Sequence, residues 1–338
     1  MALKKRERRT NVSYPSMTLQ QALEMVIASK KAEGLRERTL ADYVTHYGYF
    51  VRWLRERHSE VEYVHELTAA HFRGFITYMR EEAHRYEGHR YVKPNKGVGL
   101  ADTTINIRLR SLRTVFNYLA RDGLIASNPM QNVKMLRQDI DLTDGYTDEE
   151  VRAILAQPDQ RDYSEFRDYV AMTLLLDTGI RRNELLSLSI GDIDFQTRFI
   201  MIAGDVAKNR KARLVPISAH TAKLILQLIG ENREHFETDK LFLSAYGDPL
   251  SPNHFNKRLK LYAQRAGITG KKTTAHVWRH TWARIMVTNG ADPFTIQKIG
   301  GWSDIRIMRH YLQLKTEDMR SSHDAYSPVN KFVKKRRP

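Results

Sequence analysis

The chain has 338 residues, 41% of them apolar, which is enough for two domains that each bury a core, and no apolar run is long enough to cross a bilayer. Cysteine is absent, which excludes disulfides, thiolate zinc sites and cysteine nucleophiles and fits an intracellular, cytoplasmic protein. Lys+Arg number 55 against Asp+Glu 39, a formal charge of +16 that points to a polyanionic partner, although an ordinary basic enzyme or one on an anionic membrane surface has the same balance.

Residues 1–16 carry Lys4, Lys5, Arg6, Arg8 and Arg9 with few apolar neighbours, so a flexible basic arm is expected there. Helical spacing starts at Met17, where Leu19, Leu23, Val26 and Ile27 follow a Thr18 cap. A second helix is read from Thr39 through Tyr43, Tyr47, Phe50, Val51 and Leu54. A third follows Thr68, with Phe72, Phe75, Ile76 and Met79 on one face. The polar, glycine-bearing stretch 86–99 reads as a loop. A fourth helix begins at Asp102 or Thr103 and carries Ile105, Leu109, Leu112, Val115, Phe116 and Leu119. Gly123 is placed to end it, and Asn128-Pro129 breaks the chain beyond. Residues 17–132 therefore read as an all-helical domain without a clear strand. Arg108, Arg110 and Arg113 lie among the apolar positions of the fourth helix, where they suit DNA phosphates and an ordinary solvated face equally well.

Residues 133–146 mix charges, several aspartates and Gly145 without periodicity and read as an interdomain linker. Thr147-Asp148-Glu149-Glu150 is a capping-box pattern ahead of Val151, Ile154 and Leu155. A helix over about 163–177, Gly179 and a short helix over 182–186 come next. The stretches 193–202 and 213–217 read as strands around a basic turn. Helices return over 222–229, 252–266, 276–288, 293–299 and 304–314. The second domain, residues 147–325, is thus mixed and mostly helical with a small sheet near its start, and residues 326–338 form a basic tail. The fold class is mainly α with a small β-sheet.

No G-x-x-x-x-G-K-[ST] phosphate loop, G-x-G-x-x-G or H-E-x-x-H motif is present. His276 and His280 are one helical turn apart, but no carboxylate at comparable spacing completes a metal site, so none is expected. What remains is a set of cations and hydroxyls. Thr178-Gly179-Ile180-Arg181-Arg182-Asn183-Glu184-Leu185 puts arginines after a glycine turn at a helix start, a good place for an anion. Lys208-Asn209-Arg210-Lys211 forms a basic turn before Val215-Pro216, suited to reaching into a DNA groove. His276 and Arg279 share one helical face. Trp302-Ser303-Asp304 leads to Tyr311. Singly, each of these is as well explained by a cap, a solvated turn or a core aromatic.

In this order, Arg181, Lys208, His276, Arg279, Trp302 and Tyr311 resemble the catalytic set of the tyrosine recombinases, the family of phage integrases and chromosome-dimer resolvases. The resemblance runs over roughly residues 17–325, its helical first part being similar to the family's core-binding domain. It implies a cofactor-free DNA strand-exchange enzyme. Arg181 and Arg279 would clamp the scissile phosphate, and Tyr311 would attack it to leave a 3′-phosphotyrosine. Lys208, with Lys211 as its rival, would protonate the departing 5′-oxygen. His276 would hydrogen-bond the phosphate and assist proton transfer at Tyr311, and Glu184 would orient His276 or an arginine. Trp302 departs from the histidine that many members carry; its indole N–H would donate one hydrogen bond and its ring would brace Tyr311, but it shuttles no proton. Gly301 leaves the register of the last box ambiguous, and the register that keeps Trp302 nine residues before Tyr311 is preferred.

The resemblance also implies a C-shaped clamp on a duplex recombination site, a homo-tetramer on two such sites, a place for an accessory DNA-bending protein, and the integration, excision or transposition of a mobile element. Two other readings stand beside it. A type IB topoisomerase uses a similar tyrosine and cationic pocket, and a non-catalytic helical DNA-binding protein would hold these residues by accident.

Overall fold

The computed structural model describes residues 14–85, 97–138, 145–207, 210–306, 320, 323–324 and 327–332. The chain divides into two compact units, Met1–Ile140 and Asp141–Pro338.

The first unit is built from α1 (Leu19–Ala32), α2 (Glu37–Arg57), α3 (Ala69–Glu81) and α4 (Asp102–Arg121). The α1 start is the reciprocal cap expected at Thr18. The Thr18 hydroxyl accepts from Gln21 N–H, and the Gln21 side chain accepts from Thr18 N–H. α2 begins two residues before Thr39, because the Leu40 N–H already bonds the Arg36 carbonyl. Its core is aromatic: Phe50 stacks on Phe72 at 4.7 Å, and Phe72 meets Phe116 edge-on at 5.2 Å. Tyr47 is buried, and its hydroxyl donates to the Leu19 carbonyl. Among the described residues this unit holds no strand, only isolated bridges such as Thr18–Tyr63.

Beyond α4 the buried amide of Asn106 acts as a backbone mimic. It donates to the Leu136 carbonyl and accepts from the Leu136 N–H, each at 2.9 Å. Val133, Met135 and Leu136 pack on the first core, whereas Tyr146 is buried in the second. Both described ends of the stretch read as a linker are therefore packed.

The second unit contains α5 (Asp148–Leu155), α6 (Tyr163–Thr178), α7 (Arg182–Leu186), α8 (Ala219–His235), α9 (Pro252–Arg265), α10 (Ala275–Thr288) and α11 (Pro293–Gly300). A three-stranded antiparallel sheet, β1 (Ile193–Asp194), β2 (Phe199–Ile202) and β3 (Arg213–Pro216), lies between α7 and α8 in the chain. The stretch expected as one strand over 193–202 is two strands joined by a tight turn. Asp194 makes that turn by accepting from the N–H groups of Gln196 and Thr197 and from the Thr197 hydroxyl. Strand alternation places Ile200, Ile202 and Val215 inward and leaves Phe199, Met201 and Leu214 exposed.

α6 is the central helix, with Val170, Ala171, Met172, Leu174 and Leu175 all at 0% exposure. One ionic group is sealed beside these side chains. Asp168 accepts from Arg167, from Arg258 and from the Tyr262 hydroxyl, which ties α6 to α9. No helix of the described residues is long and apolar enough to cross a membrane.

Candidate active site

Of the residues singled out in the second unit, Arg181, Arg279 and Trp302 meet at the C-terminal end of α11, with Glu184 holding Arg181. α6 ends at Gly179, whose φ of 59° is left-handed. A Cβ there would lie 2.0 Å from Trp282 of α10, so only glycine lets the chain pass this close. The turn delivers Arg181 to the N-cap of α7, where Glu184 accepts from the Arg181 backbone N–H and from its Nη1, both at 2.9 Å.

Glu184 also receives a second arginine from the sheet. Arg213 of β3 binds it in bidentate fashion, Nη1 to Oε1 at 3.1 Å and Nη2 to Oε2 at 2.7 Å. The carboxylate is 2% exposed. Burial pushes its pKa up, but the hydrogen bonds and charges of Arg213 and Arg181 outweigh that and hold it below its ordinary value. The acid thus orients two arginines, and its described partners do not include His276.

Arg279 of α10 is 3% exposed. Its Nη1 donates to the Gly179 carbonyl at 2.5 Å, its Nη2 donates to the Gly300 carbonyl at 2.7 Å, and its guanidinium carbon lies 3.9 Å from the centre of the Trp302 ring.

Three arginines therefore serve three successive carbonyls at the end of α11. Arg213 Nε donates to Ile299, Arg279 to Gly300, and Arg181 Nη2 to Gly301, at 2.9, 2.7 and 2.7 Å. The last carbonyls of a helix lack partners within the helix and carry its negative dipole end, so cations are favoured there. Gly301 closes the helix in the left-handed region at φ 65°. Among the described residues, Arg181 and Arg213 share the Glu184 carboxylate, and Arg279 joins them on the adjacent carbonyl.

Trp302 lies on this cluster and on Trp282, the rings 6.0 Å apart and nearly parallel. A Cβ on Gly300 would fall 2.4 Å from the Trp302 ring, so the glycine makes room for the indole. His276 is exposed on α10 with its Nε2 2.9 Å from that of His280. Arg210 and Lys211 of the basic turn are exposed, Arg210 with φ 57°. Lys208 and Tyr311 lie outside the described residues, as does most of the helix expected over 304–314.

On α4, Arg110 is exposed and Arg108 lies 3.9 Å over the Tyr49 ring. Arg113 turns inward and donates to the Val133 carbonyl, so its guanidinium serves the fold. Arg213 was not singled out in the sequence. The available signal is strand alternation: it sits two residues from inward-facing Val215, where a cation needs a buried partner.

The chain matches the phage integrase family over residues 146–318 and the phage integrase SAM-like domain over residues 18–135. It is 32% identical to tyrosine recombinase XerC 2 of Ralstonia nicotianae over 251 residues, 72% of this chain and 71% of that protein. It is 27% identical to tyrosine recombinase XerD of Shewanella oneidensis over 301 residues, 88% and 93% of the two chains. Among solved structures, the Tn1549 transposon integrase in complex with transposon right end DNA superposes with a TM-score of 0.70 at 21% identity, covering 91% of this chain and 99% of that one. XerH recombinase in its pre-cleavage complex with difH gives 0.62 at 20% identity, covering 90% and 84%. These likenesses share the helical first unit and the mixed second unit, and the chain belongs to the phage integrase family: it is a tyrosine recombinase, an enzyme of DNA strand cleavage and rejoining.

Proposed function

We propose that this recombinase acts on a defined duplex site, with residues 17–132 and 147–325 as its core-binding and catalytic domains, and that Tyr311 is its nucleophile. The Tyr311 oxygen forms a bond to phosphorus while the bond from phosphorus to the 5′-oxygen breaks. The tyrosine passes its proton to His276 or to solvent water, Lys208 supplies one to the 5′-oxygen, and the products are a 3′-phosphotyrosine and a 5′-hydroxyl. Attack by a 5′-hydroxyl on that linkage rejoins the strand without ATP. Arg181 and Arg279 bind the non-bridging oxygens and stabilise the added negative charge of the pentacovalent state. His276 hydrogen-bonds the same phosphate, and Trp302 braces Arg279.

The observation that carries this reading is the convergence of Arg181, Arg213 and Arg279 on the three successive carbonyls at the end of α11. The likeness to integrase and recombinase structures with bound DNA supports duplex DNA as the partner. A homo-tetramer on two sites, an accessory DNA-bending protein, cytoplasmic action near the nucleoid and the movement of a mobile element complete the proposal. On the DNA, Arg108 and Arg110 from the first unit and Arg210 and Lys211 from the second are assigned to backbone contacts.

The test uses a nicked duplex carrying the highest-affinity sequence recovered from a random duplex pool. Wild type and Tyr311→Phe are compared in EDTA. A 3′-linked covalent adduct from wild type alone supports the reading. Tight binding by both proteins with no adduct favours a non-catalytic binder, and relaxation of supercoils without joining of two duplexes favours a topoisomerase.

A further inference from the structure

We propose that Arg213 is a positioning residue of the recombination reaction, holding Arg181 and the end of α11 in one fixed geometry. The inference rests on the functional reading above and adds to it a residue from the sheet. Arg213 makes three described side-chain hydrogen bonds, two to Glu184 and one to the Ile299 carbonyl. Each partner leads to a different part of the site. Glu184 is the carboxylate that holds Arg181 by both its backbone and its guanidinium. Ile299 immediately precedes the two residues whose carbonyls take Arg279 and Arg181.

The side chain is almost enclosed, 8% exposed, against 24% for Arg181. It therefore has less access to a phosphodiester than the arginine it steadies. Gly301 packs directly above it: a Cβ there would lie 2.8 Å from the Arg213 guanidinium carbon. Arg213 is thus clamped between a buried acid and a helix end, and it joins β3, α7 and α11 at one point.

Geometry makes the guanidinium irreplaceable. A planar fork presents two parallel N–H groups to a carboxylate while its Nε–H points elsewhere. A lysine supplies the same charge from a single atom and cannot hold Glu184 in bidentate fashion and the Ile299 carbonyl together. With the fork lost, Glu184 is free to rotate, and Arg181 and the Ile299–Gly301 carbonyls lose their common reference. A displacement of about 1 Å at a reacting group costs on the order of a hundredfold in rate.

The experiment compares wild type, Arg213→Lys, Arg213→Gln and Glu184→Gln on the same nicked duplex. Three quantities are read for each: the melting temperature, the Kd, and the single-turnover rate of adduct formation at saturating DNA. The expected result is a Kd within about threefold of wild type and a rate at least about tenfold lower for both Arg213 variants, with lysine giving no rescue. Arg213→Gln combined with Glu184→Gln should be no slower than the slower single variant, because both remove the same tie. Equal rates for wild type and Arg213→Lys overturn the proposal and leave the functional reading standing. A loss of rate that vanishes when each variant is assayed well below its own melting temperature, or one matched by a collapse of Kd, makes Arg213 a fold residue and also overturns it. If wild type itself forms no adduct, the functional reading fails and the proposal falls with it.

Discussion

The Arg279 guanidinium lies 3.9 Å from the centre of the Trp302 ring while donating to the carbonyl of Gly300, two residues earlier in the chain. A buried cation is costly unless its charge is met, and here an aromatic face and two carbonyl dipoles meet it. The tryptophan thus supports an arginine and offers no titratable proton. Trp302→Phe keeps a ring under Arg279, and Trp302→Leu removes it. Single-turnover adduct formation should fall by a few-fold in the first variant and by about tenfold or more in the second, in line with the ~0.5–2 kcal/mol typical of such contacts. Equal rates in the two variants would show that the ring face has no role.

Gly300 and Trp302 are fitted to one another. Alanine at 300 would place its Cβ 2.4 Å from the indole, and overpacking of this kind costs about 1–3 kcal/mol. Gly300→Ala should therefore lower the melting temperature by several degrees and slow cleavage, since the Gly300 carbonyl holds Arg279. Adding Trp302→His removes the ring atoms at fault, so the double variant should melt above Gly300→Ala alone. A double variant that melts lower still would break the pairing.

Much of this architecture was legible in the sequence where the signal is local. The Thr18 and Thr147 caps, the 3.6-residue spacing of Phe72, Phe75 and Met79, and the short helix after Gly179 depend on near neighbours, and the helices stand there. The break at Asp194 was hidden, because a run of β-branched and aromatic residues reads as one strand unless the aspartate is recognised as a turn former. Arg213 was hidden for a different reason. Within Lys208–Arg213 the cations look alike, and only the pairing of Ile202 with Arg213 sets which of them turns inward to Glu184, 29 residues away. Arg113 shows the converse, for its helical position allowed a DNA contact and a long-range carbonyl claimed it.

Glu184 gives a prediction in pH. In the folded chain burial raises its pKa, but Arg213 and Arg181 prevail and hold it below the ordinary value of 4.5. In the unfolded chain the arginines are gone and the acid takes up its proton at higher pH. Between the two values the unfolded state binds more protons, so stability rises with pH. The contribution is therefore complete above the ordinary carboxylate range and is lost as pH falls through the folded value. Glu184→Gln leaves two arginines without their acid, and removing one partner of a buried pair costs about 3–5 kcal/mol. Denaturant unfolding should show the variant much weaker than wild type at pH 7 and the gap closing as pH falls below the ordinary carboxylate range. A gap that stays constant across that range would mean that Glu184 is not ionised between its arginines, and the charge assigned to the site would have to be redrawn.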